Sequence, residues 1–326
     1  MKHFPKYTVS GLVLAFGGLA FLLTEWLWAG ALLALTGYLV AMKEFSKFTS
    51  PLQFFTQFFS AATVGVLLDW PLTGVPYLVL VMLLSALVTF GRIVFFRFFG
   101  YTNYAWFEPA TFIIALGVHL AGIFMGHGDW KAWVIPAPAF FFAAVIGWGI
   151  LKDKKQLLGV TLKGYKIAIG GEAPAFSLPD QNGELVQLSD FKGSRHLLLI
   201  FVRGDWCPGC HMMLRTYQKE AERFRSKNIF VLSVGPDPVG VNKEMVERLG
   251  LDFKVLADEG QKTAMIYGVQ MQEYDNDFAE KYDEGIPLPA SFLVDKQGVV
   301  RYVSRPDRVG EFLNPSLIFP IIEKLN

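Results

Sequence analysis

Two cysteines occur in the 326-residue chain, and they stand together in Trp206-Cys207-Pro208-Gly209-Cys210-His211. Two thiols at this spacing can attack a disulfide or a peroxide and then close on each other. The same letters fit Cys-x-x-Cys-His, a c-type haem attachment site, and half of a zinc site. A structural zinc site uses four ligands, and no second Cys/His cluster exists in the sequence. Haem is disfavoured by the apolar strand-like run before the motif and by Trp206 and Pro208, which suit a redox loop. The preferred reading is a redox dithiol with Cys207–Cys210 as its disulfide, with no metal and no cofactor.

The flanking sequence says what must position these thiols. Residues 197–202 (Leu-Leu-Leu-Ile-Phe-Val) form an apolar run of strand length. Residues 212–225 carry Met213, Tyr217, Ala221 and Phe224 at helical spacing. The motif therefore lies where a strand hands over to a helix. Free N–H groups and the dipole at a helix start stabilise a thiolate. Cys207 is expected to be the acidic, attacking sulfur that meets substrate. Cys210, one turn in, is expected to be more buried and to resolve a mixed disulfide.

Thirty Lys and Arg face twenty-nine Asp and Glu, a net charge of +1, which gives no case for nucleic-acid binding. Hydrophobic residues make up 52% of the chain and mean hydropathy is +0.36. The apolar excess lies before Lys152. Six apolar segments are legible, at 9–23, 26–42, 52–68, 75–93, 109–125 and 133–151. Each approaches the ~17–25 residues of a membrane-spanning helix. Further spans follow the first, so it is read as retained rather than as a cleaved signal. The expected organisation is an α-helical membrane domain of about six spans over 1–151, a linker over 152–170, and a soluble domain over 171–326.

Loop charge predicts orientation. With the N-terminus in the cytoplasm, one side carries Lys2, Lys6, Lys43, Lys47, Arg92, Arg97, Lys152, Lys154 and Lys155, and the other carries Lys131. This bias puts both termini and the cysteines on the cytoplasmic face of a bacterial-type inner or plasma membrane. Gln53, Gln57, Glu108 and His119 are the polar handles within the spans. An intramembrane His is a functional-site candidate, but interhelical hydrogen bonding is the expected role of His119. Residues 95–99, rich in Phe, suggest an interfacial stretch with Arg97 snorkelling. No span contains Cys, so the membrane half cannot pass electrons by thiol exchange. An anchor, a quinone or metabolite site, and a docking surface stay open for it.

After residue 171 the pattern alternates. Strands are expected near 172–178, 185–188, 197–202, 229–234, 253–256, 289–294 and 299–303, and helices over 239–249, 262–267 and 315–325. That predicts an α/β domain with a mixed sheet covered on both faces.

Residues 171–326 resemble the thioredoxin superfamily in its peroxiredoxin-like branch (alkyl hydroperoxide reductase/thiol-specific antioxidant, redoxin). The matching residues are Ala173-Pro174-Ala175-Phe176, Asp180 with Gly183, the stretch from Leu188 to Gly193, Trp206 to Cys210, Ala257-Asp258, Tyr267-Gly268-Val269, and Pro289 to Gly298. The resemblance implies a thioredoxin fold, antioxidant or redox-homeostasis activity, and Trp206 beside the reactive sulfur. Family peroxidases carry Thr or Ser three residues before the attacking Cys, and an Arg on a later strand. Here those positions are Gly204 and Pro289. Pro289 instead resembles the cis-proline of thioredoxins, facing the dithiol. Arg203 is either a thiolate-stabilising charge or an exposed loop cation. Asp205 either relays a proton or caps the loop, with capping favoured; His211 either tunes a thiol or faces solvent. The acidic residues from Glu273 to Glu284 read as a solvated loop or a partner surface.

Three functions follow. The first is a membrane-tethered thiol–disulfide oxidoreductase, with Cys207 and Cys210 catalytic and Trp206, Pro208, Pro289 and Arg203 binding or tuning. The second is a thiol peroxidase, with Cys207 peroxidatic and Cys210 resolving. The third, of another class, is a transporter or sensor regulated by its redox domain. The implied partners are a protein thiol or disulfide or a small peroxide, a thiol electron donor, and the lipid bilayer.

Overall fold

A computed structural model describes residues 4–45, 47, 50–72, 75–95, 106–127, 129–161, 167–272, 282–304 and 314–325. They fall into two compact units, Phe4–Phe95 with Tyr104–Lys152, and Asp153–Asn326. The Arg97 stretch and the acidic residues from Glu273 to Asp277 lie outside the described residues.

The first unit is helical: α1 (Lys6–Leu19), α2 (Leu27–Met42), α3 (Pro51–Asp69), α4 (Tyr77–Val94), α5 (Phe107–Gly122), α6 (Trp130–Val134) and the start of α7 (Ala137–Thr161). Among the described residues, four helical segments are long and apolar enough to cross a membrane. They are Lys6–Leu23, Pro51–Asp69, Phe107–Gly126 and Trp130–Gln156; Leu27–Met42 and Tyr77–Arg92 are apolar but shorter. Helix α7 continues past Leu151, because the residues that follow include good helix formers and no Gly or Pro before Gly159.

Small residues let α1 and α2 approach closely. A Cβ on Gly11 would lie 2.5 Å from the Gly37 carbonyl, and one on Gly18 would lie 2.7 Å from that of Gly30. The polar handles are used between helices. Gln53 and Gln57 donate to the carbonyls of Ala41 and Tyr38, both at 3.3 Å. Glu108 accepts from Arg92 at 2.5 and 3.0 Å. His119 packs against the rings of Trp133 and Phe140, with its Nδ1 unpartnered, so aromatic packing accompanies its burial rather than a bond through that nitrogen.

The second unit is α/β. Its elements are β1 (Ser177–Pro179), β2 (Leu185–Gln187), β3 (His196–Phe201), α8 (Pro208–Lys219), α9 (Ala221–Ser226), β4 (Ile229–Gly235), α10 (Val239–Leu249), β5 (Lys254–Ala257), α11 (Lys262–Tyr267), β6 (Gln270–Met271), β7 (Ile286–Pro287), β8 (Ala290–Val294), β9 (Val300–Val303) and α12 (Phe319–Ile322). The main sheet has the order β5-β4-β3-β8-β9. Strand β3 pairs parallel with β4 and antiparallel with β8. Side chains alternate across a strand, so β3 feeds both cores. Leu197, Leu199 and Phe201 pack with Tyr267 of α11 and the β1–β2 hairpin. Leu198 and Ile200 pack with both cysteines and with residues of α8, α10 and α12.

Some local expectations change. The motif helix starts at Pro208 and breaks after Lys219, giving α8 and α9. The final helix is a 3-10 turn (Pro315–Leu317) followed by the four-residue α12. The β6–β7 pair, too short for a periodic signal, brackets residues 272–285.

Candidate redox site

The site sits at the carboxyl end of β3, where open α/β sheets commonly bind ligands. Cys207 is the N-cap of α8, and its Sγ accepts from the Cys210 N–H at 3.3 Å. Pro208 occupies the first helical turn, where its missing N–H costs no helix bond. The Cys210 thiol donates to Cys207 Sγ, with the sulfurs 2.6 Å apart, and both cysteines are free. The Arg203 N–H in turn donates to Cys210 Sγ at 3.4 Å.

These contacts separate the two thiols electrically. Burial pushes Cys207 up, but the Cys210 hydrogen bond, the Arg203 charge and the Cys210 N–H outweigh it and bring the thiol to about 6. Burial, and then the hydrogen bond and charge of Cys207, hold Cys210 well above an ordinary thiol. The order of ionisation matches the helix-start argument. The expected difference in access does not appear: Cys207 is 2% exposed and Cys210 is 1% exposed. Both sulfurs lie in the core between β3 and its covering helices.

Arg203 is buried, which excludes the exposed-loop reading. Its guanidinium makes two bonds to the Asp153 carboxylate, at 2.8 and 3.2 Å, and lies 5.6 Å from the centroid of the Trp206 ring. The Trp206 indole donates to the Arg203 carbonyl at 3.0 Å. This bond and the ring contact tie Trp206 to the loop before Cys207.

Pro289 precedes Ala290, which pairs with Phe201 at the end of β3, so the register brings it to the motif's end of the sheet. Its peptide bond is not cis; Trp70–Pro71 is the cis bond among the described residues. The thioredoxin-like cis expectation is corrected. Pro289 leads into β8, where its missing N–H breaks no ladder bond and the ordinary trans form fits.

His211 is fully buried, not solvent-facing, with Nε2 3.1 Å from Asp205 Oδ1. The carboxylate can only accept, so Nε2 carries the proton in this bond. Burial lowers His211 against the opposing pull of Asp205. The Asp205 carboxylate also receives Arg248 of α10. The Asp205 N–H donates to Asp237 Oδ2 at 2.6 Å, and Asp237 Oδ1 accepts from the Tyr282 hydroxyl at 2.7 Å. Sequence reasoning missed Asp153, Asp237, Arg248 and Tyr282. They lie 32 to 78 positions from the loop residue each supports or approaches, beyond any local pattern. Among the described residues, no group of three or more His, Cys, Asp or Glu could hold a metal ion.

Residues 169–303 match the AhpC/TSA family. The thiol-disulfide oxidoreductase ResA of Bacillus anthracis is 32% identical over 136 residues, 41% of this chain and 68% of that protein. The chloroplastic peroxiredoxin Q of Oryza sativa subsp. japonica is 31% identical over 138 residues, 42% of this chain and 59% of the rice protein. This chain therefore spans less than two thirds of that relative. The crystal structure of peroxidoxin BcpB from Mycobacterium tuberculosis is 19% identical and covers 49% of this chain and 99% of its own, with a TM-score of 0.44.

Proposed function

Because the chain belongs to the AhpC/TSA family through residues 169–303, we propose that it is a thiol–disulfide oxidoreductase tethered to a membrane. The observation that carries this reading is the Cys207–Cys210 pair, with sulfurs 2.6 Å apart and the first thiol acidic at the start of α8. The Cys207 thiolate attacks one sulfur of a substrate disulfide and expels the other as a thiolate, leaving a mixed disulfide. Cys210 then gives up its proton and attacks Cys207 Sγ. The second substrate thiol leaves, and the two electrons gained by the substrate remain balanced by the new Cys207–Cys210 disulfide. A thiol donor reduces that disulfide for the next cycle. Arg203 holds charge near Cys207, while Trp206, Pro208 and Pro289 shape its surroundings.

Four long apolar segments and two shorter apolar helices support six spans over residues 1–151, with 152–170 as linker and 171–326 as the redox domain. The asymmetry of basic loop residues supports a cytoplasmic redox domain.

A peroxidase is the second reading. At 2% exposure, Cys207 suits a small oxidant better than a protein disulfide. Cys207 would become a sulfenic acid as the peroxide is reduced to an alcohol or water, and Cys210 would condense with it and release water. Gly204 and Pro289, in place of the peroxidase residues, weigh against this reading. Cys210→Ser separates the two. Long-lived mixed disulfides with proteins are the expected outcome; rapid sulfenic acid formation at micromolar peroxide without such adducts would replace the reductase reading by the peroxidase one.

A further inference from the structure

A redox site for protein disulfides needs a reachable sulfur, yet Cys207 is 2% exposed. The loop before it is held from one side. Asp237 Oδ2 accepts the Asp205 N–H at 2.6 Å, and its Oδ1 accepts the Tyr282 hydroxyl at 2.7 Å. Gly204 closes the arrangement. It has φ +120°, and a Cβ there would lie 2.5 Å from the Tyr282 hydroxyl oxygen and 2.9 Å from Asp237 Oδ2. The Gly204 carbonyl accepts the Cys207 N–H at 3.2 Å. An unbroken run of contacts thus leads from Tyr282 through Asp237 to the backbone that carries Cys207. The Tyr282 hydroxyl fills the place of a side chain at position 204.

We propose that Tyr282 is a positioning residue that, through Asp237, latches the Gly204–Asp205 loop and sets how large a reagent can reach Cys207. The proposal rests on the reading of Cys207 as the attacking sulfur. With the latch made, a small oxidant or alkylating agent reaches the thiolate and a bulky one is held back. When the Tyr282–Asp237 bond opens, the loop before α8 loosens and Cys207 becomes accessible to a larger disulfide.

Full-length reduced protein in detergent is treated at pH 8 with iodoacetamide or with a maleimide carrying a polyethylene glycol chain. Mass spectrometry identifies the modified cysteine. Tyr282→Phe is expected to raise the ratio of bulky to small reagent rates at Cys207 at least tenfold. The midpoint of the pH–rate profile should stay where the parent has it. Asp237→Ala should do the same, and the double variant should add nothing further. An unchanged ratio in Tyr282→Phe overturns the proposal. So does equal acceleration of both reagents, which signals ionisation rather than access, and so does multiplication of the two effects in the double variant. Alkylation needs no turnover. Loss of the oxidoreductase reading would appear as absent disulfide reduction in the parent, whatever the size ratio shows. Failure of the attacking-sulfur assignment would appear as modification of Cys210 in the parent.

Discussion

The charge on Cys207 depends on near neighbours that can be removed one at a time. The Cys210 S–H, the Arg203 guanidinium and the Cys210 N–H overcome burial and bring the thiol from 9.0 to about 6. Its alkylation rate should rise with pH through a midpoint near 6. Arg203→Ala should move that midpoint back towards the ordinary thiol value and slow alkylation at pH 7 about tenfold, as the thiolate fraction falls. A folded-state thiol below its unfolded value favours the fold most where both states are ionised. Reduced protein should therefore gain stability as pH rises from about 6 towards 9, and lose it as pH falls through about 6. Thermal midpoints of the reduced chain against Cys207→Ser, across that window, check the sign. At neutral pH, Cys207→Ser should abolish turnover, while Cys210→Ser should keep Cys207 reactive and strand it as an adduct. Full activity in Cys207→Ser would remove the assignment of the nucleophile.

Between elements, the decisive contact is the buried Asp205 carboxylate, which joins the redox loop to His211 of α8 and Arg248 of α10. Removing one partner leaves a charge buried without compensation. Arg248→Met should cost about 3–5 kcal/mol, read as a lower unfolding midpoint of the solubilised chain. Asp205→Asn in the same chain should recover much of the loss, because the stranded charge is gone. A null effect of Arg248→Met would mean that solvent reaches Asp205. Gly204→Ala should cost about 1–3 kcal/mol through its left-handed backbone alone, before the collision with Tyr282 is counted. These contacts explain why the site was only partly legible beforehand. The strand-to-helix handover and the order of the two thiols follow from residues within one turn of each other. Burial of Cys207 depends on the packing of β3 with α8 and α10, and the fates of Asp205 and His211 on Arg248 of α10.

For the whole molecule, loop charge sets the expected topology. Nine basic residues against one on alternate loops predict that a reporter fused after Asn326 is active only if it works in the cytoplasm. Activity of a periplasm-dependent reporter at that point would reverse the orientation and revive haem attachment. The purified chain should show no covalent Soret-absorbing species, since haem attachment would occupy both sulfurs. Within the helical unit, the glycine contacts between α1 and α2 leave no room for a Cβ at Gly11 or Gly18, so a Leu at either position should loosen that pair.

Local pattern alone determined much of this protein. Apolar run lengths located the helices of the first unit, and strand and helix periodicity located most elements of the second. A Cys-x-x-Cys at a helix start identified the acidic thiol, because capping and charge stabilisation act over one turn. Tertiary structure decided what distance along the chain conceals. It placed Asp237 and Tyr282 against Gly204, turned Arg203 inward to Asp153, gave Asp205 to Arg248 and left the bond into Pro289 trans. Each of these depends on packing between segments remote in sequence, where a side chain's partner is set by the fold and not by its neighbours.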